Sequence, residues 1–111
     1  SLMMSILESD DFQLSAAEDG KEALALFEAA GGAYDLLVLD CTMPKMSGGE
    51  LYRRIRSEGS KVPVVLVSGY HQEQVARNIA SDPLAWFIKK PFSVDEFLSE
   101  VHTALRARQS A

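Results

Sequence analysis

Apolar positions along this chain fall into two kinds of block, and the blocks predict its elements. Leu36-Leu37-Val38-Leu39-Asp40 is a continuous apolar run closed by a carboxylate. Val62-Pro63-Val64-Val65-Leu66-Val67-Ser68 is a second, closed by a hydroxyl. Runs of this kind, bounded by turn residues, fit strands buried on both faces, as in a parallel sheet. Trp86-Phe87-Ile88-Lys89-Lys90, stopped by Pro91-Phe92, predicts the last strand, and the weak alternation of Phe12-Gln13-Leu14-Ser15-Ala16-Ala17 an earlier one. Between these runs the apolar residues recur at helical spacing. Leu2, Met3, Ile6 and Leu7 mark the end of a first helix, and Leu24 and Phe27, with Ala23 and Ala30, a second. Leu51, Tyr52 and Ile55 mark a third, with Arg53, Arg54 and Arg56 turned outward as a solvated face. Val75 and Ile79 give a short fourth helix, and Val94, Phe97, Leu98, Val101 and Leu105 a fifth.

Punctuation supports these boundaries. Asp19-Gly20-Lys21-Glu22 and Ser93-Val94-Asp95-Glu96 both have the form of a capping box. Gly31-Gly32 suits a helix end that needs positive φ, and Arg106 and Arg108 suit the negative end of the last helix. Gln109-Ser110-Ala111 reads as a tail, leaving residues 1–108 as one domain. Strands and helices alternate with short connections, which predicts an α/β fold: a parallel sheet with helices on both faces.

Composition narrows the function. At 111 residues, 47% hydrophobic and 24% charged, the chain is an ordinary globular domain able to form a core. A net charge of −5 argues against sequence-independent nucleic-acid binding, which needs a basic surface. No apolar run approaches the ~20 residues that span a bilayer, and no signal peptide is evident, so a cytoplasmic module without membrane contact is expected. The lone Cys41 has no internal disulfide partner, and no Cys/His cluster has metal-ligand spacing. Asp10-Asp11 follows a helix and precedes a strand, whereas a metal-binding pair belongs at a strand's carboxyl end. His71 reads as an exposed loop residue.

Three predicted strands end in a polar or charged group: Asp40, Ser68 and Lys90. On a parallel sheet these ends share one edge, where ligands of open α/β sheets bind. Asp40 could simply terminate its strand, since Asp is a common turn residue. An acid, a hydroxyl and an ammonium converging there nevertheless suit one chemistry. A carboxylate can attack a phosphoryl group as a covalent nucleophile, and the transfer otherwise needs positioning and charge neutralisation. Lys90 would supply a point charge and Ser68 a hydrogen bond to the phosphoryl oxygens.

The residues Leu-Asp40-Cys-Thr42-Met-Pro44-Lys-Met-Ser-Gly48, Val-Ser68-Gly-Tyr and Lys90-Pro91-Phe92, in that order, make the chain resemble the receiver domain of two-component response regulators. The resemblance runs from about Leu2 to about Leu105. It implies a flavodoxin-like (βα)5 fold with sheet order 2-1-3-4-5. It also implies that Asp40 is the phosphoacceptor, taking a phosphoryl group from a sensor histidine kinase or phosphotransfer domain. Ser68 is then the switch hydroxyl, Lys90 the cation that pairs with Asp40, and the Lys90-Pro91 bond cis. Thr42 offers its backbone carbonyl to Mg²⁺ alongside Asp40. Phe87 takes the place of the aromatic that swings inward on activation, without a tyrosine's hydroxyl. Ser68-Gly69-Tyr70 and the Asp-x-Thr-Met-Pro loop are more similar to receivers fused to hybrid sensor kinases than to those preceding a DNA-binding domain. Such domains often form homodimers over the fourth helix, the Trp86 strand and the last helix.

One departure stands out. Receivers begin with a strand that ends in an acidic pair, and this sequence starts inside the first helix, so the Mg²⁺ site is expected to be incomplete. Losing about five buried apolar side chains at ~1.5–3 kcal/mol each removes roughly 7–15 kcal/mol, as much as the ~5–15 kcal/mol net stability of a domain. The expectation is that strand exchange or dimer contacts fill the gap, or that the natural protein extends further upstream. The rival function is a degenerate receiver, a phosphorylation-independent interaction module. An aspartate-nucleophile phosphohydrolase fits poorly, because its second aspartate is replaced here by Thr42. A flavin-binding fold-mate lacks its phosphate-cradling loop.

Overall fold

Three parallel strands hold the centre of the molecule: β1 (Leu37–Asp40), β2 (Val64–Ser68) and β3 (Ala85–Lys89), hydrogen-bonded in chain order. The structure, a computed structural model, describes residues 19–31, 34–41, 46–69, 77 and 79–110. The predicted first helix, the Phe12–Ala17 strand, the Asp10-Asp11 pair, Thr42, His71 and Val75 lie outside those residues. Leu39 pairs with Leu66 and Leu66 with Phe87, so the three strands end almost level. β2 is buried along its whole length, as its unbroken apolar run requires. Val62 and Pro63 are buried too but precede the strand, and Lys90 follows β3 rather than closing it.

The two-residue period of the strands sorts the core into two layers. Leu39, Val64 and Leu66 pack with Phe27 of α1 (Gly20–Ala29) and with Leu51, Tyr52 and Ile55 of α2 (Gly48–Ser57). Val65, Val67 and Ile88 pack with Phe97, Val101 and Ala104 of α3 (Val94–Ser110). Helices therefore cover both faces of the parallel sheet. Among the described residues, no helix is long and apolar enough to cross a membrane.

Caps start the helices where the sequence suggests. Asp19 Oδ1 accepts from the Glu22 amide at 2.8 Å, and Ser93 Oγ from the Glu96 amide at 3.0 Å. Ser47 Oγ caps α2 in the same way, accepting from the Glu50 amide at 3.2 Å. Gly31, at φ 64, lies just past α1. Three expectations need correction. Ala30 is exposed, because α1 ends at Ala29 and turns away from the core there. Val94 is also exposed, since the first turn of α3 stands clear of the sheet. Helix α3 continues to Ser110, where the sequence reads as a tail: no Gly or Pro interrupts Arg106-Ala107-Arg108-Gln109, all residues that accept a helix.

Helix α2 holds the largest correction. Arg56 is turned inward, not outward like Arg53 and Arg54. Its Nε donates to Asp82 Oδ2 at 2.8 Å, Nη1 to the carbonyls of Ser60 (3.2 Å) and Val62 (2.7 Å), and Nη2 to that of Leu84 (3.1 Å). Tyr52, one turn earlier, donates its hydroxyl to the same Asp82 Oδ2 at 2.6 Å. The Arg56 guanidinium carbon lies 5.2 Å from the centroid of the Tyr52 ring. A planar fork of fixed donors can bind several chain segments at once, which an ammonium cannot. Arg56 thus ties the C-terminal half of α2 to the chain entering β2 and β3. Burial works to raise the Asp82 pKa, but the Tyr52 hydroxyl, the Arg56 guanidinium and the Leu84 amide outweigh it and hold it below the ordinary carboxylate range.

Candidate functional site

The carboxyl ends of the three strands are locked to one another by backbone hydrogen bonds. The Cys41 amide donates to the Val67 carbonyl at 2.8 Å, and the Lys90 amide to the Ser68 carbonyl at 2.7 Å. Asp40, Ser68 and Lys90 are thereby brought to one edge of the sheet. Lys90 Nζ donates to Asp40 Oδ2 at 2.9 Å, with the lysine side chain 41% and the aspartate side chain 21% exposed. The acid is thus reachable from solvent while held by a cation. Lys90 begins the turn into α3, and its peptide bond to Pro91 is cis.

Ser68, closing the central strand, is fully buried, its hydroxyl 3.4 Å from the Gly69 carbonyl. It is the sole buried polar residue among the described residues, and no buried side-chain nitrogen or oxygen there lacks a partner. Phe87 is half-buried, paired in register with Leu66 and packed against the layer that contains α1 and α2. Lys89 is exposed beside Lys90.

Cys41 follows the acid and is buried. Burial, and then the Asp40 charge, push its thiol up to about 11. A thiol so raised is a poor nucleophile at neutral pH. For a hard cation, the described residues offer the Asp40 carboxylate, and among them no group of three or more His, Cys, Asp or Glu residues gathers. One carboxylate suits Mg²⁺ when phosphate and water complete its shell. The Thr42 carbonyl, assigned to such a site by resemblance, falls outside the described residues.

The start of α2 meets this site through a glycine. A Cβ on Gly48 would lie 2.9 Å from the Asp40 carbonyl oxygen and 3.1 Å from the Cys41 nitrogen. Sequence reading recognises Gly48 only as part of a motif. The Tyr52–Asp82–Arg56 cluster, at the opposite end of the strands, it missed. The available signal was the Asp82-Pro83 turn three residues beyond the buried Ile79, which places a carboxylate at the entry to β3.

Comparison with known proteins places the chain in a family. The family model of the response regulator receiver domain matches residues 1–102. The chain is 35% identical over 99 residues to the sensor kinase CckA of Brucella abortus, covering 89% of this chain and 10% of that protein. It is 31% identical over 104 residues to the sensory transduction protein RegX3 of Mycobacterium tuberculosis, covering 91% of this chain and 43% of the relative. The chain thus spans less than half of either relative. Among solved structures, the receiver domain of NtrX from Brucella abortus superimposes with a TM-score of 0.82 at 27% identity, over 95% of this chain and 88% of that one.

Proposed function

The chain belongs to the response regulator receiver domain family, and on that premise we propose that Asp40 accepts a phosphoryl group from a phosphohistidine. The observation that carries this reading is the 2.9 Å contact between Lys90 Nζ and Asp40 Oδ2 at a solvent-reachable strand end. An Asp40 carboxylate oxygen attacks phosphorus, the phosphorus–nitrogen bond breaks, and the donor imidazole leaves with a proton taken from water. Lys90 holds the carboxylate in place beforehand. As the acid becomes an acyl phosphate, the ammonium can transfer to a phosphoryl oxygen without crossing the site. Ser68 is the nearest hydroxyl on the neighbouring strand and would donate to a second oxygen. Its withdrawal from the core would open space toward Phe87, the switch aromatic of this reading.

A divalent cation, Mg²⁺ above all, would neutralise the phosphoryl oxygens when bound, with Asp40 as its described carboxylate ligand and the Thr42 carbonyl assigned by resemblance. The donor in this reading is a sensor histidine kinase or a phosphotransfer domain in the cytoplasm. The similarity to part of a sensor kinase supports placement in a hybrid kinase. Homodimerisation over the Trp86 strand and α3 belongs to the same reading.

Incubation with a small phosphodonor and Mg²⁺, read by intact-protein mass, tests the assignment. One phosphoryl increment is expected, removed by hydroxylamine and absent in Asp40→Asn. An increment that survives Asp40→Asn refutes it. No increment at all, with partner binding intact in Asp40→Asn, would leave a phosphorylation-independent interaction module.

A further inference from the structure

Two helices begin with a buried glycine whose backbone does not require glycine. Gly20 opens α1 and Gly48 opens α2, both helical. Glycine is a poor helix former, so its presence at both positions needs another cause. Gly31 and Gly59 are the opposite case: each has positive φ (64° and 91°), and a Cβ on either would meet nothing within 4 Å. Conformation calls for glycine at 31 and 59, whereas space calls for it at 20 and 48.

The space at Gly20 is filled by Met46. A Cβ there would collide with the Met46 carbonyl oxygen and come within 2.6 Å of its carbonyl carbon. The obstacle is mostly backbone, which cannot swing aside as a long side chain can. At Gly48 the neighbours are again backbone, the Asp40 carbonyl and the Cys41 nitrogen. The chain therefore leaves the strand at Asp40, returns at Met46 against the first residue of α1, and enters α2 against Asp40 itself. Cap formation does not account for Gly20, since Asp19 already satisfies the Glu22 amide.

We propose that Gly20 is a positioning residue for the phosphoacceptor site: it seats the backbone at Met46 on α1, and Gly48 carries that placement back to Asp40. The inference rests on the assignment of Asp40 as phosphoacceptor. Helix α1 then acts as a prop for Met46, beyond its share of the core. A methyl at position 20 must lift Met46 from its seat and so shift Asp40, without touching the carboxylate.

The test compares Gly20→Ala with Gly59→Ala. The latter strains its turn in open space, away from the acid. Each variant is assayed for urea stability, for amide resonances by NMR and for phosphorylation by a small phosphodonor. Gly20→Ala should shift the Asp40 and Cys41 amides and slow phosphorylation by roughly ten- to a hundredfold, as ångström-scale misplacement does. Gly59→Ala should lose stability alone. Equal behaviour of the two variants, once matched for stability with urea, overturns the proposal. If the parent chain takes up no phosphoryl group, the function assignment fails, and the Asp40 and Cys41 amide shifts still decide the positioning. If Gly20→Ala does not fold, Gly48→Ala, whose Cβ would meet the Asp40 carbonyl oxygen at 2.9 Å and so clash less severely, reads the coupling from its other end. Shifts at the Gly20 and Met46 amides are then expected, and none there overturns it.

Discussion

Lys90 Nζ stands 2.9 Å from Asp40 Oδ2, although 50 residues separate the two in the chain. Both side chains reach solvent, so the pair contributes little to stability, about 0–1 kcal/mol. On the proposed reading its effect on transfer is larger, because a fixed cation would meet charge that develops on the phosphoryl oxygens. Lys90→Met should leave the urea midpoint nearly unchanged and slow phosphorylation by roughly 10²–10³-fold. Parallel losses of stability and rate would make Lys90 a structural residue.

The Arg56 cluster should behave in the reverse manner. Arg56→Met removes the ion pair to Asp82 and leaves three carbonyls to find other donors, at a cost of about 2–4 kcal/mol. Tyr52→Phe deletes one hydrogen bond to the same oxygen, at about 1–2 kcal/mol. A double-mutant cycle by urea unfolding should give strong coupling, since both donors converge on Asp82 Oδ2. Additive losses would mean that the two act independently. Phosphorylation of the folded fraction is expected to stay at the parent rate.

These two sites differ in how far the sequence disclosed them. Asp40 and Ser68 are legible because each closes an apolar run, and Lys90 because it lies just past a third, where strand ends of a parallel sheet share an edge. Arg56 is hidden by the same logic. Beside Arg53 and Arg54 it reads as part of a solvated face, and only the fold brings Asp82 and three carbonyls within reach of its guanidinium. Val94 fails differently: helical spacing places it with Phe97 and Val101, but spacing does not say where the helix first touches the sheet. Gly20 sits in a recognisable capping box, and nothing local announces the Met46 carbonyl lying against it.

Stability should fall toward both ends of the pH scale for identifiable reasons. The Asp82 pKa is lowered on folding, so its contribution is complete above the ordinary carboxylate range and is lost as pH falls through the folded value. Asp82→Asn should flatten the acid limb of the urea stability profile. On the alkaline side, burial of Tyr52, with its hydrogen bond to Asp82, pushes the phenol up to about 12, while Cys41 rises to about 11. Both favour the neutral form in the folded state. Their contributions are complete below the unfolded values of 9.0 for the thiol and 10.0 for the phenol, and fade as pH rises through the folded ones. An alkaline limb unchanged in Cys41→Ala and Tyr52→Phe would contradict this.

Cys41 gives a direct probe of opening at the site. The residue is 4% exposed, and burial raises its thiol pKa to about 11. Alkylation by iodoacetamide in native buffer should therefore be slower than in urea by orders of magnitude, its rate following transient opening. Labelling as fast as that of a model thiol would show the strand end to be open.

The width of one strand fixes the choice of side chains at the acid. β1 and β3 flank β2, and neighbouring strands lie about 4.8 Å apart. Asp40 and the residue just past β3 are therefore roughly two such intervals apart at the backbone. A carboxylate on a single methylene spans little of that gap, so nearly all of the reach must come from the cation. The four-carbon stem at position 90 is in this sense a ruler cut to the sheet. Ornithine, with the same charge and one methylene fewer, would leave the acid and the ammonium facing each other across water.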